Sequence, residues 1–85
     1  MQTFQYEVTD AAGLHARPAG KLVQKAKTFP GQITVSANGR SCDAAHLMRL
    51  MAMCVKCGTT ITVTVSGENE EAFAAELKEF LRANL

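Results

Sequence analysis

Gln32-Ile33-Thr34-Val35-Ser36-Ala37-Asn38-Gly39-Arg40-Ser41-Cys42-Asp43 is the stretch that decides how this chain folds. Ile33 and Val35 alternate with polar residues, the period of a strand with one buried face. Asn38-Gly39 then supplies two residues that readily take positive φ, as both central positions of a type I′ hairpin turn require. Arg40 to Asp43 reads as the short strand returning beside the first. An antiparallel pair therefore sits mid-chain, and the flanking segments must be arranged around it.

Toward the N-terminus, Phe29-Pro30-Gly31 ends a helix expected over Ala16 to Lys27, with Ala19, Leu22, Val23 and Ala26 on one face. Arg17, Lys21, Gln24 and Lys27 fall near the opposite face. Phe4-Gln5-Tyr6-Glu7-Val8 alternates as a half-buried strand with Phe4, Tyr6 and Val8 inward. Toward the C-terminus, His46 to Met53 is apolar on most sides and is read as a short helix. Gly58 punctuates it, and Thr59 to Ser66 is a strand in which Ile61, Val63 and Val65 alternate with polar residues. Glu70 to Ala83 is an amphipathic helix with Phe73, Leu77, Phe80 and Leu81 on one stripe. Asn69 is expected as its N-cap, with Glu70 and Glu71 at its positive end and Lys78 and Arg82 at its negative end. The order β-α-β-β-α-β-α predicts an α+β domain in two layers, a mainly antiparallel sheet with the helices on one face.

The bulk numbers exclude several function classes. At 85 residues, the chain has room for a single domain, 1–85, with one two-layer core. A net charge of +1 gives no global field favouring nucleic acid or an anionic membrane. No Trp and one Tyr argue against an aromatic platform for single-stranded nucleic acid. The apolar runs are too short to span a bilayer, and Met1-Gln2-Thr3-Phe4 does not resemble a signal peptide. Three cysteines, an odd count, argue against a closed disulfide framework and for a reducing compartment. The expected location is the cytoplasm.

Chemistry concentrates in Ala12-Gly13-Leu14-His15-Ala16-Arg17-Pro18-Ala19. A neutral imidazole is a competent nucleophile near neutral pH, and a phosphorylated imidazole remains a good phosphoryl donor. A transferring phosphoryl group carries spread negative charge, so positioning and electrostatics do most of the catalysis. Arg17 can offer that group paired charge-assisted hydrogen bonds. Pro18 suits a first helical turn, and the free N–H groups of Ala16 and Arg17 at the positive helix end form an anion site. The bland alternative is a histidine that merely packs at a helix start.

With these residues in this element order, the chain resembles the HPr family, the histidine-containing phosphocarriers of the sugar phosphotransferase system. The resemblance runs over essentially the whole chain. It includes Gly13-Leu14-His15-Ala16-Arg17-Pro18-Ala19, Asn38-Gly39-Arg40, Leu47-Met48 and Lys56-Cys57-Gly58. It implies an open-faced β-sandwich, a four-stranded antiparallel sheet with three helices on one face. It further implies that His15 accepts a phosphoryl group from enzyme I, itself charged from phosphoenolpyruvate, and passes it to IIA domains of sugar transporters. Arg17 is implied as the phosphate-stabilising partner. Such a protein is a relay and not an autonomous enzyme; no cofactor or metal is expected, and a monomer is.

A carrier must dock on several partners, and methionine repacks easily against different surfaces. Leu47, Met48 and Met51 match the apolar patch that the family presents beside the histidine, while Leu50 and Met53 are expected in the core. Gly20, Gln24 and Lys27 extend the docking surface, and Lys27, Arg17 and Arg49 supply steering charge. The chain also departs from the family. His46 stands where many relatives carry a regulatory phosphoserine, so that modification is not expected here. Ala12 replaces a small polar residue, so backbone groups or water must orient the His15 ring. Cys54 stands where glycine is common. Cys54-x-x-Cys57 with Cys42 and His46 also reads as a Cys₃His metal set or a redox pair, against the preferred reading of three small, mostly buried thiols. A further alternative keeps phospho-His15 but makes it a regulatory signal.

Overall fold

In the computed structural model, which describes residues 1–53 and 55–85, the elements follow one another as expected. They are β1 (Gln2–Glu7), α1 (Ala16–Lys27), β2 (Gln32–Ala37), β3 (Arg40–Asp43), α2 (Leu47–Ala52), β4 (Thr60–Ser66) and α3 (Glu70–Asn84). The strands form one sheet in the order β1-β4-β2-β3. Every adjacent pair in it is antiparallel. The expected α+β architecture, four strands and three helices, is the observed one.

The hairpin works as its turn residues dictate. Asn38 and Gly39 take φ of 53° and 75°, so Ala37 pairs with Arg40 and Val35 with Cys42. Period-two alternation then sorts the two faces. Ile33, Val35, Ile61, Val63 and Val65 are buried under the helices, and Thr34, Ser36, Thr62 and Thr64 line the open face. The helices close the core from above with Leu22 of α1, Leu50 of α2, and Leu77 and Leu81 of α3. Each such side chain contributes about 1.5–3 kcal/mol on burial. Phe29, just past α1, stacks on Phe73 of α3 with ring centroids 4.6 Å apart. Lys25 Nζ, 2.9 Å from Glu76 Oε1, bridges the same two helices.

Differences from expectation lie at element ends. β1 runs two residues earlier than the alternating stretch and stops before Val8, which is nonetheless fully buried. His46 and Met53 flank α2 as caps and are not part of it. Asn69 does occupy the N-cap position of α3, but makes no side-chain cap bond. The turn after Gly67 holds Asn69 at φ 59°, a left-handed conformation that asparagine tolerates and that differs from the extended backbone of a capping residue. The Glu70 carboxylate instead accepts the Gly67 N–H at 3.3 Å. The amino terminus and that N–H hold the Glu70 carboxyl below its ordinary range.

Candidate functional site

The segment between β1 and α1 is tied down at several points by backbone hydrogen bonds. The N–H groups of Thr9 and Asp10 both donate to Leu85 O at 2.7 Å. Gly13 N–H donates to Asp10 O at 2.9 Å, while Ala12 N–H donates to the Asp10 carboxylate at 2.8 Å. An aspartate opening a turn closed by glycine three residues later favours this geometry. Gly13 takes φ +69°, and a Cβ built on it would stand 2.4 Å from Val55 O. Only glycine permits so close an approach of the two loops. Leu14 N–H then donates to Val55 O at 2.9 Å and sets the chain direction into α1.

His15 is the N-cap of α1, extended at φ −94° and ψ −174°, and its side chain makes no cap bond. Its imidazole is therefore free for other chemistry. The first helical hydrogen bond runs from Ala19 N–H to His15 O at 3.0 Å. Pro18 carries no N–H, so Ala16 and Arg17 are left as the helix-opening donors without intrahelical acceptors. His15 and Arg17 line one cavity of about 160 Å³ with Asp10, Pro18, Lys21 and Asn84. His15 Nε2 stands 3.9 Å from Asp10 Oδ1, with 43% of the histidine side chain exposed. That distance is too long for a hydrogen bond. The cavity brings His15 and Arg17 together, whereas Ala16, the other helix-opening residue, does not line it.

Asp10, Lys21 and Asn84 are the residues that sequence reasoning missed at this cavity. Asp10 is the side chain whose carboxylate stands near the ring beside Ala12, without a hydrogen bond to it. The Asp10-Ala11-Ala12-Gly13 turn signature could have drawn attention to it. For Asn84, lying on α3, no local signal existed.

The residues expected to dock partners are displayed beside this cavity and on α2. Gln24 and Lys27 are exposed on α1, and Gly20, half-buried, leaves open space where a Cβ would stand. α2 packs against α1 and β3. Met48 is 78% exposed, Met51 38% and Leu47 37%, whereas Leu50 and Met53 are buried. This separation follows helical angles, since Leu47, Met48 and Met51 share the side turned from the core. His46 is the exposed N-cap of α2 and makes no side-chain cap bond.

The two described cysteines, Cys42 and Cys57, are both free. Cys42 is buried with its Sγ 3.3 Å from Met53 Sδ. Burial, with Asp43 nearby, pushes the Cys42 thiol up from its ordinary value, partly offset by Arg49. A raised folded value means that the stability Cys42 contributes is present at neutral pH and is lost as pH rises through that value. Cys57 departs from the expected burial. It is exposed in the turn before β4, with Sγ 3.7 Å from Thr9 O. Cys54 lies outside the described residues. Among the described residues no group of three His, Cys, Asp or Glu side chains comes together to hold a metal. No helix among them is long and apolar enough to cross a membrane.

Residues 2–83 match the profile of the PTS-HPr family, described as the PTS HPr component phosphorylation site. The chain belongs to the HPr family. The phosphocarrier protein HPr of Mycoplasma capricolum is 37% identical over 79 residues, covering 93% of this chain and 89% of the relative. The solved structure of a Mycoplasma histidine-containing phosphocarrier superposes with a TM-score of 0.92 at 34% identity, covering 96% of this chain and 93% of that one. An HPr dimer from Thermoanaerobacter tengcongensis matches with a TM-score of 0.75 at 30% identity, covering 98% of this chain and 95% of that one. HPr membership makes this chain a phosphocarrier whose partners are proteins of the phosphotransferase system.

Proposed function

We propose that the chain accepts a phosphoryl group on His15 from phosphorylated enzyme I and passes it to sugar-specific IIA domains. One observation carries the reading: His15 caps α1 with an unengaged ring and shares a single cavity with Arg17. The imidazole nitrogen that carries no proton supplies the lone pair as the nucleophile. In the accepting step, that lone pair forms the N–P bond as the donor's bond to phosphorus breaks, and the bonding pair stays with the donor. In the donating step the N–P pair returns to that nitrogen as a IIA nucleophile takes the phosphoryl group. Arg17 and the N–H groups of Ala16 and Arg17 bind the phosphoryl oxygens throughout.

Docking uses Leu47, Met48 and Met51 together with Gly20, Gln24 and Lys27, and one chain meets one partner at a time. The same apolar patch serves partners in turn because methionine side chains adapt their rotamers to each. Met48→Asp is expected to raise KM for enzyme I about tenfold with little change in kcat. Its folding should be unaffected, since Met48 is 78% exposed. An unchanged KM would remove Met48 from the interface.

The test of the whole reading uses purified cytoplasmic components. Incubation with phosphoenolpyruvate and enzyme I should add one phosphoryl group, seen by intact mass and released by mild acid. Addition of a IIA domain should discharge it. No adduct, or an acid-stable one, overturns the carrier reading. An adduct that no IIA domain accepts would point to a regulatory signal.

A further inference from the structure

We infer that Lys21, held by Asn84, is a second cationic contact of the phosphoryl group on His15. The inference rests on His15 being the acceptor and extends it to residues outside the His15–Arg17 motif. Lys21 follows Arg17 by one helical step of four residues, so the two side chains are neighbours on the surface of α1. Side chains on a helix lean toward its N-terminus, which aims Lys21 back over Arg17 and the cap residue His15. The cavity confirms the placement, since Asp10, His15, Arg17, Pro18, Lys21 and Asn84 line it together.

Asn84 gives the ammonium a defined position. Its Nδ2 donates to Phe80 O at 2.9 Å, which turns Oδ1 outward. Lys21 Nζ donates to that Oδ1 at 3.5 Å across 63 residues of chain. An ammonium has three donors, and this bond uses one. Among the described residues no carboxylate lies within ion-pair distance of Lys21, unlike Lys25, which pairs with Glu76. The remaining donors have no anionic partner among the described residues.

Charge balance supplies the reason for such a residue. A phosphoryl group on the ring arrives as up to a dianion beside Asp10, which already stands 3.9 Å from Nε2. Arg17 supplies one positive charge against that carboxylate and the incoming oxygens. Lys21 supplies the second, held toward α3 by Asn84. Asp10, Arg17 and Lys21 are the charged groups lining the cavity from the loop and α1, and α3 contributes the neutral Asn84.

The experiment reads the phosphoryl group on the isolated phosphoprotein, so partner docking does not enter. In a phosphorus NMR titration, Lys21→Met should raise the second ionisation of phospho-His15 by about half a pKa unit, as expected when one nearby cation is lost. Lys21→Arg should restore the parent titration, and Asn84→Ala should shift it upward by less. Lys25→Met, a change on the same helix but outside the cavity and the docking surface, should leave it in place. A Lys21→Met titration matching the parent overturns the inference while leaving the carrier reading intact. An equal shift in Lys25→Met also overturns it, because the effect would then be the general field of the helix. Failure of the parent chain to take up phosphate at His15 brings down both readings.

Discussion

His15→Ala is expected to take up no phosphoryl group from enzyme I and phosphoenolpyruvate, while unfolding within about 0.5 kcal/mol of the parent. The two halves of this result have separate causes. Uptake is lost because a methyl group has no lone pair, and no other imidazole has the same surroundings. His46 is the only other histidine, and Met48 stands two positions after it where Arg17 follows His15. His46 is also absent from the cavity that His15 shares with Arg17. Stability is retained because the His15 side chain makes no cap hydrogen bond and is 43% exposed. Intact mass and a denaturant titration check the two halves. Residual acid-labile phosphate on the variant would place the acceptor elsewhere.

Gly13→Ala carries the second large effect, a loss of about 2–4 kcal/mol of folding stability. Two costs add. Holding a residue with a Cβ at φ +69° costs about 1–2 kcal/mol. The new methyl would also stand 2.4 Å from Val55 O and 2.8 Å from Lys56 Cα, both backbone atoms, so a loop must move. Moving it disturbs the Leu14 N–H to Val55 O bond that leads into His15. Phosphoryl uptake should therefore slow even under conditions where the variant is folded. For a small domain with about 5–15 kcal/mol in total, the shift in denaturant midpoint is easily measured. A midpoint within about 0.5 kcal/mol of the parent would contradict the close approach of the two loops.

Gly20→Ala makes an instructive contrast. It is also glycine in the motif region, yet a Cβ there meets nothing within 4 Å and its φ is helical. The sequence alone shows two glycines seven residues apart. Only the packing separates one that the fold requires from one that it merely accommodates.

Most element assignments were legible because they rest on local chemistry. Asn38-Gly39 could hardly be other than a hairpin turn, and positive φ at both residues is what the structure contains. The apolar stripe of α1 and the alternation of β4 are likewise properties of short windows. Asn69 holds the N-cap position of α3 as expected, while its left-handed backbone after the Gly67 turn leaves it without a side-chain cap bond. Cys57 was expected to be mostly buried because cysteine usually is, whereas the turn into β4 exposes it.

The sequence by itself determined the local geometry of the His15–Arg17 cluster. His15, Arg17 and Pro18 lie within one helical turn, so their mutual placement follows from helix geometry and needs no distant contact. It also determined the α+β class, through a hairpin and an element order that are locally encoded. Tertiary structure alone decided the order β1-β4-β2-β3, the insertion of Gly13 against Val55 and the placing of Asn84 beside Lys21. Those contacts join segments far apart in the chain. They arise when the sheet and helices bury a common core, and no periodicity in a short window reports where that burial will bring two surfaces together.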